Sequence, residues 1–167
     1  MAIDKIQAES INLADTFAFT GTVTGAGESN TPLFIARKSG DHTGISDGSW
    51  TKITGWTEIA DPDSKFDTST ARFTPGVAGK YLVQLNCWLG TEANTSQYLS
   101  IYKTGTAAEK SGVNTGGDAN HPFQVSAIVD MNSTDYVEPY VLFNGGHTKT
   151  VYSEGVTNQF SAFLIST

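Results

Sequence analysis

Apolar residues fall on alternate positions in one short run after another along this chain, with Gly, Pro, Asn and Asp standing between the runs. Alternation of this kind marks a strand with one face in a core. The longest run is Tyr81 to Leu89. Tyr81, Val83, Leu85, Cys87 and Leu89 share a wholly apolar face, while Leu82, Gln84, Asn86 and Trp88 share a mixed one. That predicts a sandwich strand with a single buried face. Shorter strands are predicted at Leu33–Ala36, Ala71–Thr74 and Tyr98–Tyr102, and Asp61-Pro62-Asp63 is a turn. A Gly- and Asn-rich loop leads to Phe123–Met131, which reads as a hairpin with Tyr136–Phe143 across Asn132-Ser133-Thr134-Asp135. Pro139 has no N–H for a ladder, so it places the second of these strands at an edge or a bulge. Phe160 to Ile165 is a final strand that builds the end of the chain into the sheet. About eight to ten strands at these spacings predict an all-β sandwich, jelly roll or barrel.

The first 30 residues have a different character. Ile11, Leu13, Phe17 and Phe19 alternate in an extended segment that dissolves into Thr, Gly and Ala, and Gly25-Ala26-Gly27 reads as a flexible joint. Too little apolar surface is present there for an independent core. Residues 1–30 are therefore expected to be an attachment arm, with Ile11, Leu13, Phe17 and Phe19 as its anchors, and residues 31–167 to be the folded domain.

Composition narrows the function. A net charge of −7 and a pI near 4.7 disfavour a nonspecific nucleic-acid binder, which needs clustered Lys and Arg to neutralise phosphates. Cys87 is the single cysteine, so no intrachain disulfide forms, and its apolar surroundings make it a buried thiol. No stretch approaches the roughly 18 apolar residues of a membrane span, and the first residues lack the apolar core of a secretory signal.

Catalytic chemistry finds no foothold. His42, His121 and His147 are isolated in polar or Gly-rich loops, with no HExxH or CxxC spacing nearby. There is no Gly-x-Ser-x-Gly elbow. Asp61, Asp63 and Asp67 are close in sequence, but Asp is favoured in turns for its backbone hydrogen bonds; oxygen ligands on a loop also suit Ca²⁺. The expectation is no enzyme, no cofactor and no committed metal. Aromatic residues are the better site candidates, among them Trp50, Trp56, Tyr98 and Tyr102.

Phe66 to Tyr81 resembles the C1q/TNF-like superfamily in its "F-T-x-P-x-x-G-x-Y" segment: Phe73, Thr74, Gly79 and Tyr81 match, with Pro75 one place early. Tyr98-Leu99-Ser100-Ile101-Tyr102-Lys103-Thr104-Gly105 is similar to the family's strand ending in Tyr-Lys-Asn-Gly. Gln159 to Ile165 is similar to its closing "F-S-G-F-L-L", with Ala162 replacing Gly, and Val129 to Val137 occupies the slot of "L-x-x-G-D-x-V" without the Gly. The resemblance spans about residues 33 to 167. It implies a C1q/TNF-like jelly-roll sandwich that assembles as a homotrimer with aromatic residues along the axis. Tyr98, Tyr102, Tyr140 and Phe160, on faces carrying aromatics without aliphatic neighbours, are then expected at the trimer interface.

Residues 5–27 are similar to arms of bacteriophage virion proteins, head-decorating proteins and tail fibres among them. The expectation is a structural protein on the outside of a virion, made in the host cytoplasm. It would be a capsid decoration (cement) protein held to the major capsid protein or another virion protein by the arm. The alternative is a tail-fibre tip that binds a host glycan or protein.

Overall fold

The computed structural model describes residues 31–90, 95–115, 121–145, 149–153 and 157–167. The arm residues Ile11, Leu13, Phe17 and Phe19, and His147, lie outside the described residues. The rest is all-β, and its strand pairs are antiparallel.

Two sheets face each other. The first, sheet A, runs β9 (His121–Met131), β6 (Gly79–Leu89), β12 (Gln159–Ser166), β1 (Leu33–Lys38) and β3 (Trp56–Ala60); β11 (Val151–Tyr152) extends the β12 side of β6. The second, sheet B, runs β4 (Phe66–Asp67), β5 (Arg72–Phe73), β10 (Val137–Asn144), β7 (Thr95–Lys103) and β8 (Thr106–Thr115), with β2 (Thr51–Lys52) also on β10. As the alternation predicts, Tyr81, Val83, Leu85, Cys87 and Leu89 are all buried. Between the sheets Phe34 stacks on Phe66 and Phe73, at 4.5 and 4.7 Å between ring centroids, and meets Phe160 edge-on at 4.9 Å.

Three expectations need correction. Phe123–Met131 and Tyr136–Phe143 do not form a hairpin: β9 pairs with β6 in sheet A along its whole length, and β10 pairs with β7 in sheet B. The connection between them crosses the sandwich. It is held by side chains, with Asn132 Oδ1 accepting from Thr134 and Asp135 N–H and Asp135 Oδ2 accepting from Asn132 N–H, each at 2.9 Å. Second, part of the predicted loop after Tyr102 is β8, a ten-residue edge strand on β7. An edge strand is held by backbone pairing, so it forms without the apolar alternation that betrays central strands.

Third, Pro139 lies within an interior strand. Its carbonyl accepts Ile53 N–H at 2.8 Å, so its own nitrogen also faces the side where β10 changes partner from β5 to β2. The missing donor falls at the gap between two short strands, and the ladder to β7 is intact.

Gly79 shows why its motif carries a glycine. A Cβ there would stand 2.5 Å from the Ser166 carbonyl oxygen, because β12 presses its backbone onto the start of β6. Nearby, Tyr81 donates its hydroxyl to the Val77 carbonyl at 2.9 Å and packs edge-on against Phe73 at 5.9 Å.

Candidate functional site

The sandwich leaves two outward faces of unlike chemistry. On sheet A the strand register aligns Ile128 of β9, Leu82 of β6, Phe163 of β12 and Leu33 of β1 in one row across four strands. All four side chains lie on the face away from the core, and Ile128 is 68% exposed. Ile165, also outward, is 51% exposed. The next row is Ser126, Gln84, Ser161 and Ile35, again without a charge. The third row turns polar with Gln124, Asn86, Gln159 and Arg37, and there Asn86 Oδ1 and Arg37 Nε are buried without a hydrogen-bond partner among the described residues. A sheet face that is apolar across four strands and then offers unpaired polar atoms is built for contact.

On sheet B the outward face is aromatic. Strand β10 turns Glu138, Tyr140 and Leu142 outward, and β7 turns Tyr98, Ser100 and Tyr102 outward opposite them. Tyr102 stacks on Tyr140 at 4.0 Å between centroids, 28° from parallel. Trp50, just before β2, stands at 60° to both Tyr102 and Tyr98, 5.9 and 6.4 Å away. Tyr98 rests against β8 where Gly112 has no side chain: a Cβ there would lie 2.0 Å from Cδ1 of the ring.

Glu138, 2% exposed, lies beneath these rings, with Lys52 Nζ at 2.5 Å and Arg72 Nη2 at 2.9 Å. Arg72 in turn lies over the Tyr136 ring, 3.6 Å from its centroid. Burial, and then the neighbouring Tyr140 phenol, pushes the Tyr102 phenol above its ordinary range; burial and then Glu138 do the same for Tyr140. Both hydroxyls therefore stay protonated and able to donate at neutral pH.

Tyr98, Tyr102 and Tyr140, expected at a trimer interface, thus lie together on the outward face of sheet B, but Phe160 is not with them. It is fully buried on the inner side of sheet A, between Leu85 and Ala36 in register. Its inward neighbours on β12 are Ala162 and Leu164, so the aromatic character of that face belongs to the core. Trp56 is also a core residue, donating its indole N–H to the Ile53 carbonyl at 2.8 Å. The row Ile128, Leu82, Phe163 and Leu33 escapes sequence reasoning because it exists only once four strands are in register.

The remaining candidates serve the scaffold. Asp61 is buried, with Oδ2 accepting Phe66 N–H at 2.6 Å, whereas Asp67 is exposed and caps Ser69 and Thr70. Among the described residues no group of three His, Cys, Asp or Glu is placed to hold a metal ion. His42 pairs its backbone with Val151, and burial, with Lys38 nearby, holds its imidazole below the usual range. His121 is exposed. Cys87 is buried, which pushes its thiol far up and leaves it unreactive. An open cleft of about 630 Å³ beside Gly79 contains Lys80, Lys103, Asp130 and Asp135, but its charges already pair, Lys80 with Asp130 at 3.2 Å and Lys103 with Asp135 at 2.9 Å.

No protein-family profile and no curated protein sequence matches the chain. Solved structures do match it in fold. The Eiger TNF of S. frugiperda superposes with a TM-score of 0.63 at 10% identity, covering 82% of this chain and 94% of that one. Murine APRIL gives 0.60 at 10% identity, covering 80% and 98%. The globular domain of the zebrafish complement 1qA protein gives 0.57 at 16% identity, covering 80% and 96%. The fold is therefore the C1q/TNF-like jelly-roll sandwich.

Proposed function

We propose that the chain is a homotrimeric, non-enzymatic jelly-roll protein on the outside of a bacteriophage particle, a capsid decoration protein fastened by residues 1–30. The observation that carries the assembly is the row Ile128, Leu82, Phe163 and Leu33. Its exposed apolar surface crosses most of sheet A without a charge, and burial between copies releases about 25 cal/mol for each Å² of it. Three copies arranged about an axis bury such faces by one repeated contact that closes on itself. A fold without a disulfide gains stability from that closure. The virion setting is supported by the arm-like sequence of residues 5–27, and attachment to the major capsid protein or another virion protein by the alternating Ile11, Leu13, Phe17 and Phe19.

Light scattering on the intact protein should give three times the chain mass. Ile128→Lys together with Phe163→Lys should bring it to one chain mass while the β-sheet circular dichroism persists. A monomer before substitution sinks the trimer. Immunogold labelling of purified particles then tests the location: dense head labelling is expected for decoration. Labelling of tail tips alone would favour the second reading, a receptor-binding tip, which the aromatic face of sheet B supports. A particle without label would overturn both locations.

A further inference from the structure

We infer that the outward face of sheet B is a carbohydrate-binding platform, with Trp50, Tyr98, Tyr102 and Tyr140 stacking against the rings of a short glycan. The inference goes beyond the trimer and its location and needs neither.

The rings are held before any ligand arrives. Tyr102 and Tyr140 stack face to face, and Trp50 packs against Tyr102 at 60°, so the cluster offers a ligand its outer ring faces and edges in a fixed arrangement. Gly112 keeps the place of Tyr98 open. Beneath them Glu138 fixes Lys52 and Arg72 at the margin. A sugar ring suits such an aromatic surface: its axial C–H bonds, slightly positive, lie on the negative outer face of a ring, and its equatorial hydroxyls point outward to the rim. The rim supplies partners. The Tyr98, Tyr102 and Tyr140 hydroxyls make no hydrogen bond among the described residues, and the Nη1 edge of Arg72 is not committed to Glu138.

Size separates a glycan from a protein partner. Each ring buries about 150–250 Å² when fully covered, and these four are already half-buried, so they offer a few hundred Å² between them. A stable protein interface needs about 800 Å² from each partner. Among the outward residues of β10 and β7 beside the rings, Leu142 is the one aliphatic side chain. The patch fits two or three sugar rings.

The test uses the intact chain and free hexasaccharides of glucose, galactose, mannose and N-acetylglucosamine. Saturation-transfer NMR, irradiating protein aromatic protons, should light up the sugar ring protons of at least one, with a dissociation constant near or below about 1 mM by titration. Trp50→Ala and Tyr102→Ala should each weaken it at least about tenfold, and Gly112→Ala should weaken it by displacing Tyr98. Ile128→Lys, on the opposite sheet, should leave binding intact even where it lowers the oligomeric mass. Trp50→Phe keeps a ring and should retain most of the binding, which separates stacking from folding. The inference is overturned if none of the four sugars receives transfer. It is equally overturned if the alanine variants bind undiminished, or if they lower the oligomeric mass, since the face would then lie between copies.

Discussion

Arg72 on β5 grips Glu138 on β10 through two nitrogens on one oxygen, Nε at 3.1 Å and Nη2 at 2.9 Å from Oε1. The carboxylate is buried and the guanidinium is 37% exposed, so removing either partner has unequal effects. Losing Arg72 leaves a buried charge with Lys52 alone. Losing Glu138 leaves two cations that can turn to water. A fully buried pair broken on one side loses about 3–5 kcal/mol; exposure of the guanidinium reduces this, and Arg72→Met should cost about 1–2 kcal/mol in urea unfolding. Glu138→Gln should cost less than Arg72→Met. The reverse order would show that the cations, not the carboxylate, are the group in need of a partner.

Phe160 divides core from interface. With no exposed surface and contacts to Phe34, Phe66 and Trp56, Phe160→Ala should lower stability by about 3–5 kcal/mol. Leu85→Ala, beside it in register, should lose about 2–5 kcal/mol, and Gln84→Ala, on the outward face, under about 1. These are measured by chemical denaturation of each variant. Equal losses at positions 84 and 85 would mean that the strand's faces are exchanged.

Asp67 governs part of the acid response. Hydrogen bonds from the Ser69 hydroxyl, then the Thr70 hydroxyl, hold its carboxyl down at about 2. A carboxyl lowered in the folded state stabilises above its unfolded value, near 4, and loses that contribution as pH falls towards 2. Asp67→Asn should therefore flatten the dependence of the melting temperature on pH between about 4 and 2 and leave it unchanged above about 5. An unaltered acid slope would locate the sensitivity at other carboxylates, Asp135 and Asp41 first, since both are also lowered by hydrogen bonds.

Deleting residues 1–27 should leave a soluble β-sandwich of unchanged oligomeric mass that no longer joins particles. Ordering an extended arm costs about 1–2 kcal/mol per residue in backbone entropy, so only a large docking surface can hold it. Circular dichroism and co-sedimentation with particles check the two halves. An unfolded product would make the segment an integral part of the domain. Full incorporation would move attachment to the jelly roll.

Much of this fold is written in short-range pattern. The faces of β6 follow from alternation alone, and the Phe73, Gly79 and Tyr81 motif proves to be one packed corner: a ring pair, a hydroxyl tie to Val77, and a glycine under the Ser166 backbone. Partnership between strands is less legible. Asn132-Ser133-Thr134-Asp135 closes the same side-chain-capped turn whether the strands beyond it pair or part, so β9 and β10 read as a hairpin although they enter opposite sheets. Strand β8 is held at an edge and carries little apolar signal. For the site, Tyr98, Tyr102 and Tyr140 were readable as outward aromatics, but their meeting with Trp50 depends on β2 joining β10 from far along the chain.

The place of β12 governs how the molecule comes into being. This strand sits between β6 and β1, and it follows every other described strand in sequence. On a ribosome, β1 emerges before β12 and must wait, joined to β3 alone, until β12 is made. Sheet A then closes in a single late step between distant parts of the chain, which makes folding slow and all-or-none. A chain cut short before Gln159 would leave the facing edges of β6 and β1 open, ready to recruit the wrong neighbour.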